Sequence, residues 1–125
     1  MRIEPISSNS ISFGYSSPLK TLFKEGKMPS VKYGFYGDKL TKQNVSLEHL
    51  KPHSKGGASC LRNYVLASQR NNRLRGNDDI LKHFDAQTAL RYLKQFVDIK
   101  LPRFDGNRYI LMILNTLKDL GIRFE

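Results

Sequence analysis

Residues 45–77, VSLEHLKPHSKGGASCLRNYVLASQRNNRLRGN, constrain the fold more than any other stretch of this chain. A strand-like apolar run closes on Glu48 and His49, and Pro52 with Gly56–Gly57 follows as a loop. Asn63 then opens a second apolar run, Tyr64-Val65-Leu66-Ala67, which leads into a short basic, helix-like segment carrying Asn72. The pattern predicts two strands, a tight loop between them and a helix directly after. Successive side chains of a strand point to opposite faces. Glu48 and His49 can therefore serve one site only where the strand ends or bends, and Pro52 and the glycine pair supply such an ending.

The residue types in this stretch suit phosphodiester hydrolysis. That reaction needs an activated water, a cation against the charge developing on phosphate, and donors that hold the backbone. A neutral histidine, whose unperturbed pKa is about 6.5, can take a proton from water near neutral pH. A carboxylate and a side-chain amide are hard oxygen ligands, which favour Mg²⁺ over soft metals. Taken singly, each residue has an ordinary role: a surface histidine, an asparagine cap, a glycine turn. The reading rests on their order.

Glu48-His49, then Asn63, then Asn72 nine positions later resembles the motif of HNH endonucleases, over about a quarter of the chain. The resemblance implies an α+β fold with a ββα-metal centre and additional packing α-helices. It implies that His49 is the general base that deprotonates the attacking water, and that Glu48 and Asn72 are the two protein ligands of a single Mg²⁺ or Mn²⁺. It gives Asn63 the part of tying the loop together and orienting the base, and it implies a 5′-phosphate product. Asn71 competes with Asn72, since adjacent helix positions are about 100° apart; the nine-residue interval favours Asn72. Many relatives carry two CxxC pairs around the motif. Here Tyr33 and Tyr36 stand at the first and Ser68 and Asn71 at the second, and Cys60 is the one cysteine of the chain. No structural zinc is expected, so packing must hold the fold, with the C-terminal helices supplying the core.

Charge agrees with a polyanionic substrate. The formal net charge is +10 over 125 residues, and 48–77 is the densest part, with six Lys/Arg against one acid. Lys51, Lys55, Arg62, Arg70, Arg73 and Arg75 are the expected phosphate contacts, which position a nucleic acid without reading its sequence. DNA is the expected partner, with RNA the alternative. The start of the chain has no basic segment followed by an apolar one, no run reaches membrane-spanning length, and the lone cysteine suits a reducing compartment. A cytoplasmic protein with no membrane partner is expected.

The rest of the chain reads as one domain with this unit. Residues 1–30 are expected to be an arm with a short helix, capped at Ser17-Pro18 and ended by Gly26. The nuclease-like motif takes 31–77, with Tyr33, Phe35 and Tyr36 packing under the strands. Residues 78–125 form a helical extension. In it 78–84 continues or restarts a helix, and Asp85 caps a helix over 86–99 with Leu90, Leu93 and Val97 as its stripe. A break falls at Pro102 and Asp105-Gly106-Asn107. A last helix over 107–120 carries Ile110, Ile113, Leu114, Leu117 and Leu120, with Gly121 as its stop. These stripes are expected to cover the ββα unit, with a homodimer seam as their other use. His83 reads as structural, and His53 has no matching role. Three functions follow: a metal-dependent DNA endonuclease, a binding module of the same fold without turnover, and a ribonuclease.

Overall fold

The computed structural model describes residues 19–25 and 31–124. The expectations for residues 1–18, including the cap at Ser17-Pro18, and for Gly26 lie outside the described residues. Among the described residues, four α-helices and two small antiparallel sheets make a mixed α+β fold. Residues 19–24 are helical (α1), with Leu19 fully buried. β1 (Val45–His49) pairs with β2 (Tyr64–Ser68), Leu47 opposite Leu66 and His49 opposite Tyr64. α2 (Gln69–Arg75) follows without a loop. Ser68 ends the strand and caps the helix, its hydroxyl accepting from the Asn71 N–H at 3.1 Å. Strand, loop, strand and helix thus stand in the predicted order, and α2 packs against both strands.

An isolated two-stranded hairpin is marginal in water, and its outer edges present unpaired backbone groups. Groups from outside the hairpin, mostly side chains, bond to both edges here. On the β1 side, Asn72 Nδ2 donates to the Leu47 carbonyl at 2.9 Å. The Arg75 guanidinium donates to the carbonyls of His49 and, at 2.7 Å, Leu50. On the β2 side, the Phe35 N–H donates to the Leu66 carbonyl at 2.9 Å.

Two further β2 groups are held by buried tyrosines, Tyr92 from α3 (Ala86–Lys94) and Tyr109 from α4 (Gly106–Asp119). The Leu66 N–H donates to Tyr92 Oη at 2.9 Å, and Tyr109 Oη donates to the Tyr64 carbonyl at 2.7 Å. The two hydroxyls lie 2.8 Å apart. Tyr109 has given its only proton to Tyr64, so the proton between the rings belongs to Tyr92. Burial pushes both phenols above the ordinary tyrosine value, which keeps them protonated donors. The two helices therefore act on the hairpin through directed bonds as well as apolar packing. Tyr109→Phe should cost about 1–3 kcal/mol in urea unfolding, because it strands the Tyr64 carbonyl and the Tyr92 hydroxyl inside the core. A loss under about 0.5 kcal/mol would show that the relay contributes nothing.

The core runs from Leu19, Val31 and Phe35 through Val65 and Leu66 to Tyr92, Phe96, Ile113 and Leu117. Phe35 packs edge-on against Tyr36 and Tyr92, as expected for aromatics under the strands. Tyr33 differs: it is partly exposed, with the Arg91 guanidinium 4.2 Å from its ring centroid.

The C-terminal elements depart from the expectations in detail. Asp85 caps α3 as expected, accepting from the Thr88 N–H, but the helix ends at Lys94 rather than 99. Its buried residues are Ala89, Tyr92 and Leu93, with Phe96 buried in the turn that follows, while Leu90 on the helix and Val97 beyond it are exposed. The hydroxyl of Tyr92 has backbone and tyrosine partners, so the whole side chain fills the core and the buried stripe is rotated from the expected one. Residues 78–84 hold only a 3₁₀ turn over Ile80–Lys82. The expected break is a hairpin, β3 (Lys100–Leu101) against β4 (Phe104–Asp105), folded around Pro102 and Arg103. Asp105 caps α4 through the Arg108 N–H. At Gly106, a Cβ would sit 1.9 Å from the Phe96 carbonyl oxygen, so only glycine lets α4 start against the end of α3. No helix of the described residues is long and apolar enough to cross a membrane.

Candidate functional site

The β1–β2 loop is pinned by Asn63. Its Oδ1 accepts from the Lys51 N–H at 2.9 Å, and its Nδ2 donates to the carbonyls of Lys51 and Ala58 at 3.0 and 2.9 Å. The Asn63 carbonyl accepts from the Leu50 N–H. One buried amide therefore ties both ends of the loop together. Between those ends lies a 3₁₀ turn, His53–Lys55, closed by Gly56 in the left-handed region. A Cβ on Gly57 would sit 1.8 Å from the Lys51 carbonyl oxygen. Gly57→Ala should displace the loop, cost about 2–4 kcal/mol and remove any activity that depends on it. Thermal unfolding together with an activity assay checks both; a variant with unchanged melting would contradict the close approach.

His49 is the last residue of β1, and the chain bends at Leu50. Its ring lies 4.7 Å from that of Tyr64 and 6.1 Å from that of His53. Burial, reinforced by His53 and Arg75, holds its pKa below the ordinary histidine value, so the imidazole is neutral at pH 7. His49 Nε2 is shielded from solvent and has no hydrogen-bond partner. Buried polar atoms are nearly always satisfied, so this nitrogen calls for a water or a substrate group.

Glu48 sits between the two places where α2 grips β1, with Asn72 bonded at Leu47 and Arg75 at His49. It is buried, 3% exposed. Oε2 accepts from the Tyr36 hydroxyl at 2.7 Å and lies 3.4 Å from Arg75 Nη1. Burial raises its pKa; Tyr36, Arg75 and the His49 N–H work the other way and favour the carboxylate. The same contact with Glu48, added to burial, raises the Tyr36 phenol far above its usual range. Asn72, rather than Asn71, turns its amide to β1, donating to Ser46 Oγ and the Leu47 carbonyl. With Nδ2 committed, Oδ1 is the lone-pair atom left to accept a hydrogen bond or ligate a cation.

Arg75, expected among the phosphate contacts, is instead 1% exposed. Nε bonds the Asp78 carbonyl at 2.7 Å, and the other nitrogens reach His49, Leu50 and Glu48. A guanidinium has five donors in a fixed fork, which suits clamping several carbonyls at once. His83 supports this corner through its contact with Asp78 at 2.9 Å. Lys51, Lys55, Arg62, Arg70 and Arg73 are exposed. The first three belong to the loop and the turn that Asn63 ends; Arg70 and Arg73 stand on α2.

The implied metal can be tested against these donors. Glu48 and Asn72 offer hard oxygen atoms at one junction, the right kind for Mg²⁺ or Mn²⁺, which bind few protein ligands and keep several waters. The positive charge of Arg75 works against tight binding. Among the described residues, no three His, Cys, Asp or Glu side chains group to hold a metal unaided. By donor chemistry the pair suits a hard cation completed by water and phosphate, while Glu48 Oε2 is already engaged by Tyr36 and Arg75.

Tyr36 and Arg75 are the partners of Glu48 that sequence reasoning missed. Arg75 lies three positions after Asn72 on α2, a spacing that puts both on one helix face and could have signalled a shared target. Comparison of the chain with family models, curated proteins and solved structures gives no match.

Proposed function

We propose that this chain is a divalent-metal-dependent endonuclease that hydrolyses DNA phosphodiester bonds at an HNH-type ββα-metal centre. The observation that carries the reading is the neutral, unpartnered His49 Nε2 beside a loop that Asn63 holds in place. His49 takes the proton from the attacking water. Asn63 fixes Lys51 and the loop backbone, which fixes the imidazole relative to the phosphate. Glu48 and Asn72 would hold the divalent ion, whose chemistry when bound is to neutralise charge on the phosphate and the leaving 3′ oxygen. Lys51, Lys55, Arg62, Arg70 and Arg73 grip the backbone without reading bases. One such centre cuts one strand per encounter, so a monomer nicks and a double-strand cut needs a homodimer or sequential events.

The engagement of Glu48 by Tyr36 and Arg75 favours a second reading, a nucleic-acid-binding module that keeps the fold without turnover. Incubating the protein with matched DNA and RNA duplexes in Mg²⁺, Mn²⁺ or EDTA separates the readings. The endonuclease cuts DNA with metal alone. Salt-sensitive binding without cleavage selects the module, and preferential cutting of RNA selects a ribonuclease.

A further inference from the structure

Two surface grooves flank the pinned loop. One, of about 400 Å³, is lined by Lys51, Gly56, Arg62 and Asn63 on the loop side and by Met112 and Thr116 of α4. The other, of about 570 Å³, lies between the β3–β4 hairpin and the start of α4. Met112 lines both, and Leu61, neighbour of Arg62 in the same 3₁₀ turn, lines the second. Thr116 Oγ1 donates to the Arg62 carbonyl at 2.6 Å, which fixes that turn on α4. The grooves therefore adjoin at Met112, one reaching the loop, with Asp119 also on its wall, and the other the hairpin.

The hairpin groove has an apolar floor and a cationic rim. Leu61, Leu101, Phe104 and Met112 contribute the floor, while Lys100, Arg103 and Arg108 are exposed around it. Asp105 is the one acid there; it caps α4 and pairs with Lys100 at 3.0 Å, which leaves Arg103 and Arg108 as the uncompensated charges. Deoxyribose presents C–H faces and each phosphate presents anionic oxygens, so a sugar–phosphate backbone matches both parts of the surface. A two-residue turn between two-residue strands carries Arg103, and Gly106 lets the start of α4 pack closely on the Phe96 carbonyl behind it.

We infer that the β3–β4 hairpin and the first turn of α4 are a second DNA-backbone clamp, in which Arg103 and Arg108 hold the strand that continues from the Lys51–Arg62 groove. The inference rests on the nucleic-acid part of the function proposed above. The clamp lies outside the motif, in a C-terminal part of the chain that is close to charge-neutral overall, so its contribution is local.

The test is equilibrium binding of a fluorescent 20-base-pair DNA duplex in EDTA over a range of salt concentrations, with plasmid nicking by the unaltered chain scored alongside. Each phosphate contact contributes a slope of about −0.9 in log K against log salt, a factor of about eight at 0.1 M. Arg103→Ala/Arg108→Ala should weaken binding at least about tenfold and reduce the slope by about 1.8. Lys32→Ala/Lys94→Ala, which removes two exposed charges that line neither groove, should change affinity far less. Equal losses in the two double variants, or no loss in the hairpin variant, would overturn the clamp whether or not the chain nicks. A selective loss in the hairpin variant of a chain that nicks nothing supports the clamp and overturns the endonuclease. An unaltered chain that does not bind the duplex overturns both.

Discussion

His49→Ala is expected to lower the rate of plasmid nicking by about 10²- to 10⁴-fold, the usual contribution of a positioned general base, while binding to DNA persists. The imidazole stands against the rings of Tyr64 and His53, and its Nε2 bonds nothing in the protein, so its loss removes chemistry without breaking a hydrogen bond at that nitrogen. Its pH behaviour follows from the direction of its shift. Burial and the nearby cations lower its pKa, so the neutral, basic form survives below about pH 6.5. The acid limb of the rate profile should fall below that value and disappear in the variant. Stability carries the same sign: the unfolded chain binds a proton near pH 6.5 that the folded chain refuses. This contribution is intact above that pH and is lost as pH falls through the lowered value. Unchanged nicking by a folded His49→Ala chain would remove His49 from the reaction.

Arg75→Ala should be the most destabilising single change to a charged residue, at about 3–5 kcal/mol, as for removal of one partner of a buried pair. The guanidinium holds the carbonyls of His49, Leu50 and Asp78 and stands beside the buried Glu48 carboxylate. Without it, Glu48 loses an influence that holds its pKa down, and burial drives that value further up. A carboxyl group whose folded pKa exceeds the unfolded one costs stability as pH rises, so the deficit should be larger at pH 8 than at pH 5. Adding Glu48→Gln should recover part of the loss by removing the unpaired charge. Chemical denaturation of the two variants at both pH values measures this. A deficit under about 1 kcal/mol, or one that shrinks as pH rises, would contradict the clamp. Arg75→Lys should not rescue, because an ammonium cannot reproduce the fork.

The strand–loop–strand–helix order was legible because its signals are local. The apolar runs, Pro52, the glycine pair and Asn63 all act within residues 45–77, and Asn63 bonds groups only 12 and 5 positions away. The caps Asp85 and Asp105 are equally local, since each bonds the N–H three residues on; the sequence marks the first as a cap, whereas Asp105 beside Gly106 and Asn107 reads as part of a break. What stayed hidden depends on pairings across the chain. Tyr92 and Tyr109 reach β2 across 26 and 45 residues, and Tyr36 meets Glu48 from outside residues 45–77. Charge pattern alone placed Arg75 on the surface, because nothing in a run of arginines tells which one turns inward to meet carbonyls. The β3–β4 hairpin escaped notice because strands of two residues carry no periodicity.

The most direct measurement is the fate of supercoiled plasmid incubated with the unaltered chain and Mg²⁺, beside an EDTA control, followed by treatment of the product with DNA ligase. An endonuclease centred on Glu48, His49, Asn63 and Asn72 gives nicked circles only with the metal, and ligase alone reseals them, as the 5′-phosphate product requires. Plasmid that is bound but stays supercoiled in both Mg²⁺ and Mn²⁺, or that is nicked equally in EDTA, would contradict it.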